Sequence, residues 1–495
     1  MNLVGFGLTL HDSSIAAYKE GKFLYRKAER QFNEKHAHGD MQWALSVLKE
    51  WDINEYESAE STWLKGDNQQ KIKDGNKLDH HYTHALSSAH IDEVNYIQDA
   101  YSMGPANTPS HQQMFSGMLK VGNRQVQRFD QMSIPSVMHP LLQAKQFDHH
   151  TKLRQFILDN TIDKNIFDFF DDFLKKGEHK DFNTFTQLID FPGKVMSLQS
   201  YGEPDYEKVD EWQALRMFRN RMVFSEIAHT PNIEHSLIST VHKFCERLVL
   251  EHCPHGSFHY AGGVAQNVVF NRAMLNTGRK PVIYPWAYDG GCSIGALNFL
   301  LDKHNIERYA DWVQDDEAPN EQPSVYTTRQ VAQLITEGKV VGWYQGYGEV
   351  GPRALGNRSI LFNPTMSDAK DKINKIKQRE WWRPFGASVT EEGADMFFDI
   401  PVSRHMLFNS RVLYSGIPGV THVDGTCRHQ TVPDDDTPFR WLLHYVEEEL
   451  GLPIVLNTSL NKKGKPLCST IQQAIDLFKE TDMDALCVGD TLYQK

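Results

Sequence analysis

The chain opens with an apolar, glycine-punctuated run, Leu3 to Leu10, which breaks at His11-Asp12-Ser13-Ser14. Ile15 to Tyr18 and Phe23 to Arg26 follow on either side of Glu20-Gly21. Short apolar runs separated by turn residues predict strands, so this segment reads as a strand, a hydroxyl-rich turn and a hairpin. From about Thr151 to Asp190, phenylalanines recur at helical spacing among charges (Phe156, Phe167, Phe170, Phe173), which predicts helices with one packed face. A helical pattern resumes over Val241 to Leu248. Next come a short strand (Phe258 to Ala261), the pair Gly262-Gly263 and a helix from Asn267 to Leu275. A second strand (Pro281 to Tyr284) leads to Asp289-Gly290-Gly291 and a helix over Ser293 to Leu301. Strand, glycine turn and helix start aim unpaired backbone N–H groups at an anion.

The acidic stretch Asp311 to Ser324, with two prolines, reads as a linker. Gln330 to Glu337 then predicts a helix and Val340 to Tyr344 a strand, so a second α/β unit is expected over 325–495, after a first over 1–324. No internal repeat is visible in the residues.

At 495 residues the chain is too long for one core. Hydrophobic residues at 40% and charged residues at 23% are the balance of a soluble globular protein. The net charge of -12 argues against wrapping duplex nucleic acid, but leaves room for a local basic site for a small anion. The six cysteines form no C-x-x-C pair, so neither a zinc ribbon nor a disulfide framework is expected, and a reducing cytoplasm is the default. Nothing in the first residues reads as a signal peptide, and no apolar stretch reaches the ~18 residues of a membrane span.

Three constellations could carry chemistry. In Asp79-His80-His81-Tyr82-Thr83-His84, His80 and His84 stand four apart, so a helix places them on one face. Two such imidazoles can share one metal ion, with Asp99 and Asp289 as carboxylates from neighbouring turns; a mixed nitrogen and oxygen set suits iron, zinc or manganese. The same pattern also fits a plain surface helix face. In the last third, Arg353 and Arg358 lie in a glycine-bounded segment, followed by Arg379, Arg383 and Arg428 and then Asn457-Thr458-Ser459 and Asn461. Arginine forks grip phosphate or carboxylate oxygens, and asparagine and serine add neutral donors. Ordinary surface ion pairs would show the same composition. The third group, Lys35, His36 and His38 after Glu29-Arg30, reads equally as a solvated loop.

At these residues the chain resembles the nodulation and cephem-antibiotic O-carbamoyltransferases (the NodU/CmcH family). The resemblance rests on ordered motifs along nearly the whole chain: HDSS at 11–14, AERQFNEKH at 28–36, DHHYTHALSS at 79–88, GKVMSLQSYGEP at 193–204, GGVAQN at 262–267, GWYQGYGEVGPRALGNRSIL at 342–361, RPFGASVTEE at 383–392, HVDGTCRHQTV at 422–432 and VLNTSLN at 455–461. It implies an α/β protein with two units. The first is an actin-like (ribonuclease-H-like) ATPase domain similar to the tRNA-threonylcarbamoylation protein, and the second is YrdC-like, as in threonylcarbamoyl-AMP synthase. The implied metal ligands are His80, His84, Asp99 and Asp289. Gly262, Gly263 and Asn267 would lie against ATP, and Arg353, Arg358, Arg383, Arg428, Asn457 and Ser459 would take carbamoyl phosphate. His11 is the candidate general base, with Lys35, Arg353 and Arg383 as further catalytic residues. Cofactors would be ATP and a divalent metal, with or without magnesium beside it.

The implied reaction is ATP-dependent O-carbamoyl transfer. Carbamoyl phosphate and ATP give carbamoyl-AMP, and the carbamoyl group then passes to a hydroxyl of a sugar, antibiotic or nucleotide. One departure from the family pattern is that the turn after Asp99 reads Ala100-Tyr101-Ser102-Met103-Gly104 in place of a glycine-rich run. Rival readings are a threonylcarbamoyl transferase acting on tRNA, the same chemistry on a hydroxymethylated nucleotide or nucleobase, and a non-catalytic ATP-binding regulator on an actin-like fold.

Overall fold

The computed structural model describes residues 1–9, 11–62, 76–90, 94–103, 114–121, 124–129, 198–218, 235–378 and 382–495. The helices expected within 151–190, and Arg379, lie outside the described residues.

Among the described residues, two five-stranded sheets occupy the first part of the chain. Sheet one holds β1 (Asn2–Gly7), β2 (Ser14–Lys19), β3 (Lys22–Lys27), β4 (Glu57–Thr62) and β5 (Asn76–Asp79), in the order β3-β2-β1-β4-β5. Strands β1, β2 and β3 form an antiparallel meander, while β4 and β5 add in parallel on the other side of β1. Sheet two holds β6 (Val94–Met103), β7 (Met114–Val121), β8 (Arg124–Phe129), β9 (Ser257–Ala261) and β10 (Lys280–Val282). Its order, β8-β7-β6-β9-β10, is the same path, with the same three antiparallel strands and two parallel ones. The chain therefore contains a structural repeat where none is visible in the residues. Strand order is set by which apolar faces are covered and by how crossovers connect, not by residue identity.

Alternation along β1 shows how each sheet is covered. Val4 and Phe6 pack with Trp43, Ala44 and Val47 of the Met41–Glu50 helix. Leu3, on the opposite face, packs with Ile294, Leu297 and Leu301 of the Cys292–Lys303 helix. In sheet two, Tyr96, Tyr260 and Phe258 meet Val241, Phe244 and Leu248 of the His235–Glu251 helix.

An eight-stranded mixed sheet is built from the last third: β11 (Val341–Tyr344), β12 (Arg358–Phe362), β13 (Gly386–Thr390), β14 (Asn409–Arg411), β15 (Thr426–Val432), β16 (Ile454–Ser459), β17 (Ala485–Val488) and β18 (Thr491–Gln494). Its order is β14-β15-β13-β16-β12-β11-β17-β18. Ile373, Leu477 and Phe478 cover one face, and Val331, Ile335, Leu442 and Val446 the other.

The stretch expected to be a linker is packed instead. Asp315 meets Arg26 and Trp51. Asp316 accepts from the Gly348 amide at 2.8 Å and pairs with the fully buried Arg358 at 3.0 Å. Acidic residues that look like solvated linker are satisfied by arginines distant in sequence. A further tie is Arg30, 1% exposed, which donates to the carbonyls of Glu349, Gly351 and Leu467.

Candidate functional site

Asp79 begins the site. Its carboxylate accepts from the Tyr82 amide at 3.0 Å and caps the His80–Leu86 helix, so the helical turn that carries His80 and His84 starts at a defined residue. Both histidines are completely buried, and their Nε2 atoms stand 3.3 Å apart. Asp99 reaches them from β6. The β6–β7 register shifts between Gln98 and Ser102, an irregularity that interrupts the ladder at this aspartate. Asp99 Oδ2 lies 3.0 Å from each histidine Nε2, and its Oδ1 accepts from the Gly263 amide at 3.1 Å. The altered turn after Asp99 thus does not remove it from the cluster. Gly262 permits this approach: it sits at φ +98°, and a Cβ there would stand 2.1 Å from the Gln98 carbonyl oxygen.

Asp289 enters from the turn before the Cys292–Lys303 helix, with Oδ1 3.5 Å from His80 Nε2 and 3.4 Å from His84 Nε2. This helix crosses the His80–Leu86 helix closely because residue 295 is glycine; a Cβ there would lie 1.9 Å from the Thr83 carbonyl oxygen. Gly295→Ala is expected to cost about 1–3 kcal/mol, since overpacked sites must push backbone apart. Chemical denaturation would check this, with a lowered midpoint and an unchanged slope expected.

Cys292, which no spacing or motif in the residues marks, is also buried here. Its Sγ lies 3.7 Å from His84 Nε2 and 3.8 Å from His80 Nδ1. Burial works against charging the two histidines, but Cys292 and the aspartates hold both well above the usual imidazole range. Burial would likewise raise Asp99, yet hydrogen bonds from His80 and His84 hold it well below the carboxylate range. Cys292, pushed up by burial and pulled down by both histidines, sits at about 7. These donors fit a divalent cation: an ion bonded at ~2.1 Å to nitrogen and oxygen separates neighbouring donors by roughly 3 to 3.5 Å, which is the spacing here. His80, His84, Asp289 and Cys292 form one group with metal-ligand spacing, and His11, Asp12 and His36 a second, among the described residues.

His11 links the two. Its Nδ1 is 2.9 Å from Asp12 Oδ2, and its Nε2 is 3.7 Å from Asp289 Oδ2. Asp12, in the left-handed region at φ +56°, also meets His36 Nδ1 at 2.7 Å and Lys27 Nζ at 3.3 Å. Lys27 in turn donates to Glu29 at 2.8 Å and to the Tyr288 hydroxyl at 2.6 Å. Burial opposes protonating His11, but Asp289 and Asp12 raise its pKa above the ordinary value. His36 is the member of its loop whose ring reaches Asp12; Lys35 is half-buried beside it. Residue spacing alone does not mark Asp12, Lys27, Glu29 or Tyr288 as site residues, although Asp12 lies in HDSS, Glu29 in AERQFNEKH, Lys27 just before that motif and Tyr288 beside Asp289.

In the last third, Arg353, Arg383 and Arg428 are brought together. Burial and repulsion from Arg428 and Arg383 hold Arg353 well below the guanidinium range; Arg428 falls to about 10, through burial and then Arg383. The Nε atoms of Arg353 and Arg428 and the Asn457 Oδ1 are buried with no hydrogen-bond partner. Asn457 and Arg428 flank Gly386 across the sheet, at one register level. Arg353 Nη2 also points to the Gln266 carbonyl at 3.4 Å, within the GGVAQN loop, so this group faces the first part of the chain. Crowded cations with unpaired Nε–H donors suit an anion, while the Asn457 oxygen can only accept and suits an N–H donor beside it.

Arg358 is not in that group. Its guanidinium lies 3.6 Å from the centre of the Tyr344 ring and donates to Asp316 and to the carbonyls of Gln345, Gly346, Glu317 and Cys468. Its role is to hold strands and linker together. Ser459 is tied to Lys377 and Asn461, at 3.1 and 2.6 Å. Asn267 accepts from the amides of Val269 and Phe270, capping the Val268–Asn276 helix, and its amide nitrogen lies 3.1 Å from His242.

Fold and site together define an α/β protein with a buried histidine–aspartate cluster in its first part and an arginine group in its last. Residues 332–495 match the family described as the carbamoyltransferase C-terminus. Nodulation protein NolNO of Sinorhizobium fredii is 34% identical over 64% of this chain and 51% of its own length. An uncharacterized protein of Methanocaldococcus jannaschii is 30% identical over 63% of this chain and 71% of its own. The 3'-hydroxymethylcephem-O-carbamoyltransferase of Amycolatopsis lactamdurans is 31% identical over 49% of this chain and 50% of its own. The chain thus spans about half the length of two of these relatives. It belongs to the carbamoyltransferase family of the nodulation and cephem O-carbamoyltransferases. No helix among the described residues is long and apolar enough to cross a membrane.

Proposed function

We propose that this chain is an ATP-dependent O-carbamoyltransferase with two centres, in 1–324 and 325–495. The observation that carries this reading is the division of the site: a His/Asp cluster with His11 at its edge, and a separate arginine group that reaches the GGVAQN loop through Arg353. The repeated sheet order supports an actin-like, nucleotide-binding first unit, with the 262–267 loop against ATP. The last unit is read as YrdC-like.

Arg353, Arg383 and Arg428 would bind carbamoyl phosphate. Water cleaves it to carbamate and phosphate; a carbamate oxygen then attacks the α-phosphorus of ATP, and pyrophosphate leaves to give carbamoyl-AMP. The arginines offset charge gathering on the phosphoryl oxygens. Asp12 holds His11 through Nδ1, which leaves Nε2 directed at the Asp289 side to take the acceptor's hydroxyl proton. The acceptor oxygen bonds to the carbonyl carbon, and AMP departs. A divalent cation held by His80, His84, Asp99 and Asp289 would polarise a phosphate or carbonyl oxygen. One relative is named for transfer to a 3'-hydroxymethylcephem, which supports a small hydroxyl-bearing acceptor.

Incubation with ATP, carbamoyl phosphate and candidate alcohols should release pyrophosphate and add the mass of one carbamoyl group to one acceptor. Carbamoylation that proceeds without ATP would overturn the reading. Purified protein should carry about one equivalent of iron, zinc or manganese, and His84→Ala much less, because a lost ligand weakens the site directly. Elemental analysis checks this; full activity after complete metal removal would exclude the metal.

A further inference from the structure

The Cys292 thiol has no task in the reaction outlined above, although it is wholly buried and stands among the donors of the His/Asp cluster. Its position is firmly set. Ser14 Oγ and the Tyr25 hydroxyl both donate to the Gly290 carbonyl, at 2.9 and 2.8 Å, and Ser14 shares a hydrogen bond with Ser293 at 2.8 Å. These contacts tie the turn and the first residues of the helix to the hairpin, so Asp289 and Cys292 enter the cluster as one rigid piece.

The donor spacing separates the ways in which the sulfur could act. For an ion with a metal–sulfur bond of ~2.3 Å and a metal–nitrogen bond of ~2.05 Å, tetrahedral coordination puts sulfur and nitrogen roughly 3.5 Å apart. The observed 3.7 Å from Sγ to His84 Nε2 is close to that edge. From His80 the nearest contact is to Nδ1, at 3.8 Å, while its Nε2 faces the two aspartates. A thiol that only supported His80 from behind would need the Nδ1 contact alone; the close approach to His84 Nε2 is that of a fellow ligand.

We infer that Cys292 is a direct ligand of the cluster's cation, completing a His/Asp/Cys set that selects a thiophilic divalent metal (zinc, iron(II) or cobalt) over magnesium or manganese. Thiolate is a soft donor that hard cations bind poorly, so one sulfur among nitrogen and oxygen ligands shifts the preference of the whole site. The inference rests on the metal reading proposed above. The other cysteines are not in either group with metal-ligand spacing among the described residues.

Cobalt(II) separates the two claims, because its spectrum reports binding and sulfur ligation independently. Metal-free full-length protein titrated with cobalt should show visible d–d bands and, with them, a thiolate-to-cobalt charge-transfer band in the near ultraviolet. Cys292→Ser and Cys292→Ala should keep the visible bands but lose the charge-transfer band. Their preference for cobalt over manganese should fall about tenfold or more, a loss of the order that changes around a metal site produce. Circular dichroism confirms that the variants are folded, and the wild-type spectrum is decisive if neither is. Visible bands without a charge-transfer band in the wild type would overturn sulfur ligation and leave the metal reading standing. Absence of any cobalt band would overturn both.

Discussion

His11→Ala should still consume ATP and carbamoyl phosphate and release pyrophosphate, while carbamoylation of the acceptor falls by a hundredfold to ten-thousandfold, about 3 to 5 kcal/mol. The size follows from losing a positioned base for a hydroxyl that is scarcely ionised near neutral pH. The separation follows from geometry. His11 is bound to Asp12 and faces Asp289, whereas the arginine group lies in the last third of the chain. Supplied carbamoyl-AMP should not rescue the variant. The measurement is pyrophosphate release and acceptor mass followed on the same sample. Equal loss of both, with a lowered melting temperature, would mean that His11 only braces its turn against Asp12 and that the base lies elsewhere.

Arg383→Ala should show the reverse pattern. Formation of carbamoyl-AMP should drop about a hundredfold, or on the order of 3 kcal/mol, as expected for removing one charged fork from a phosphoryl oxyanion. Transfer from supplied carbamoyl-AMP should survive. The structure adds a second expectation. Arg383 repels both Arg353 and Arg428, so its removal relieves strain between like charges. A thermal melt of the ligand-free variant should register that relief together with the contacts that Arg383 itself gives up. A normal rate of carbamoyl-AMP formation would show the anion to be held elsewhere; a marked drop in melting temperature would show that Arg383 serves the fold. Arg358 makes the contrast: it comes from the same arginine-rich stretch, but its donors are spent on Asp316 and on backbone carbonyls. Type and spacing alone do not tell a ligand-binding arginine from a structural one, because the difference lies in which acceptors the fold brings to it.

What was legible in the residues was short in range. The opening hairpin follows from turn residues between apolar runs, and the shared face of His80 and His84 from their spacing of four. The strand, glycine turn and helix at 257–276 follow from their order. Each of these is decided by neighbours within a few residues, where backbone geometry and side-chain period act directly. The family motifs carried further, marking Arg353, Arg383 and Arg428 before their charges were seen to crowd together.

Only the tertiary structure decided the rest. It showed how Asp99, marked by the resemblance, reaches the histidines through an irregular stretch of β6, and it drew Cys292, Asp12 and Lys27, together with His36, to the same region from separate segments. It also turned an apparent linker into a packed, ion-paired segment, and it repeated one sheet order in two stretches with no visible likeness. The physical reason is common to all of these. Convergence depends on how closely elements pack, as at Gly295 against Thr83, and on which buried charges find partners there. Such contacts join residues far apart in the chain, so no local period or composition records them.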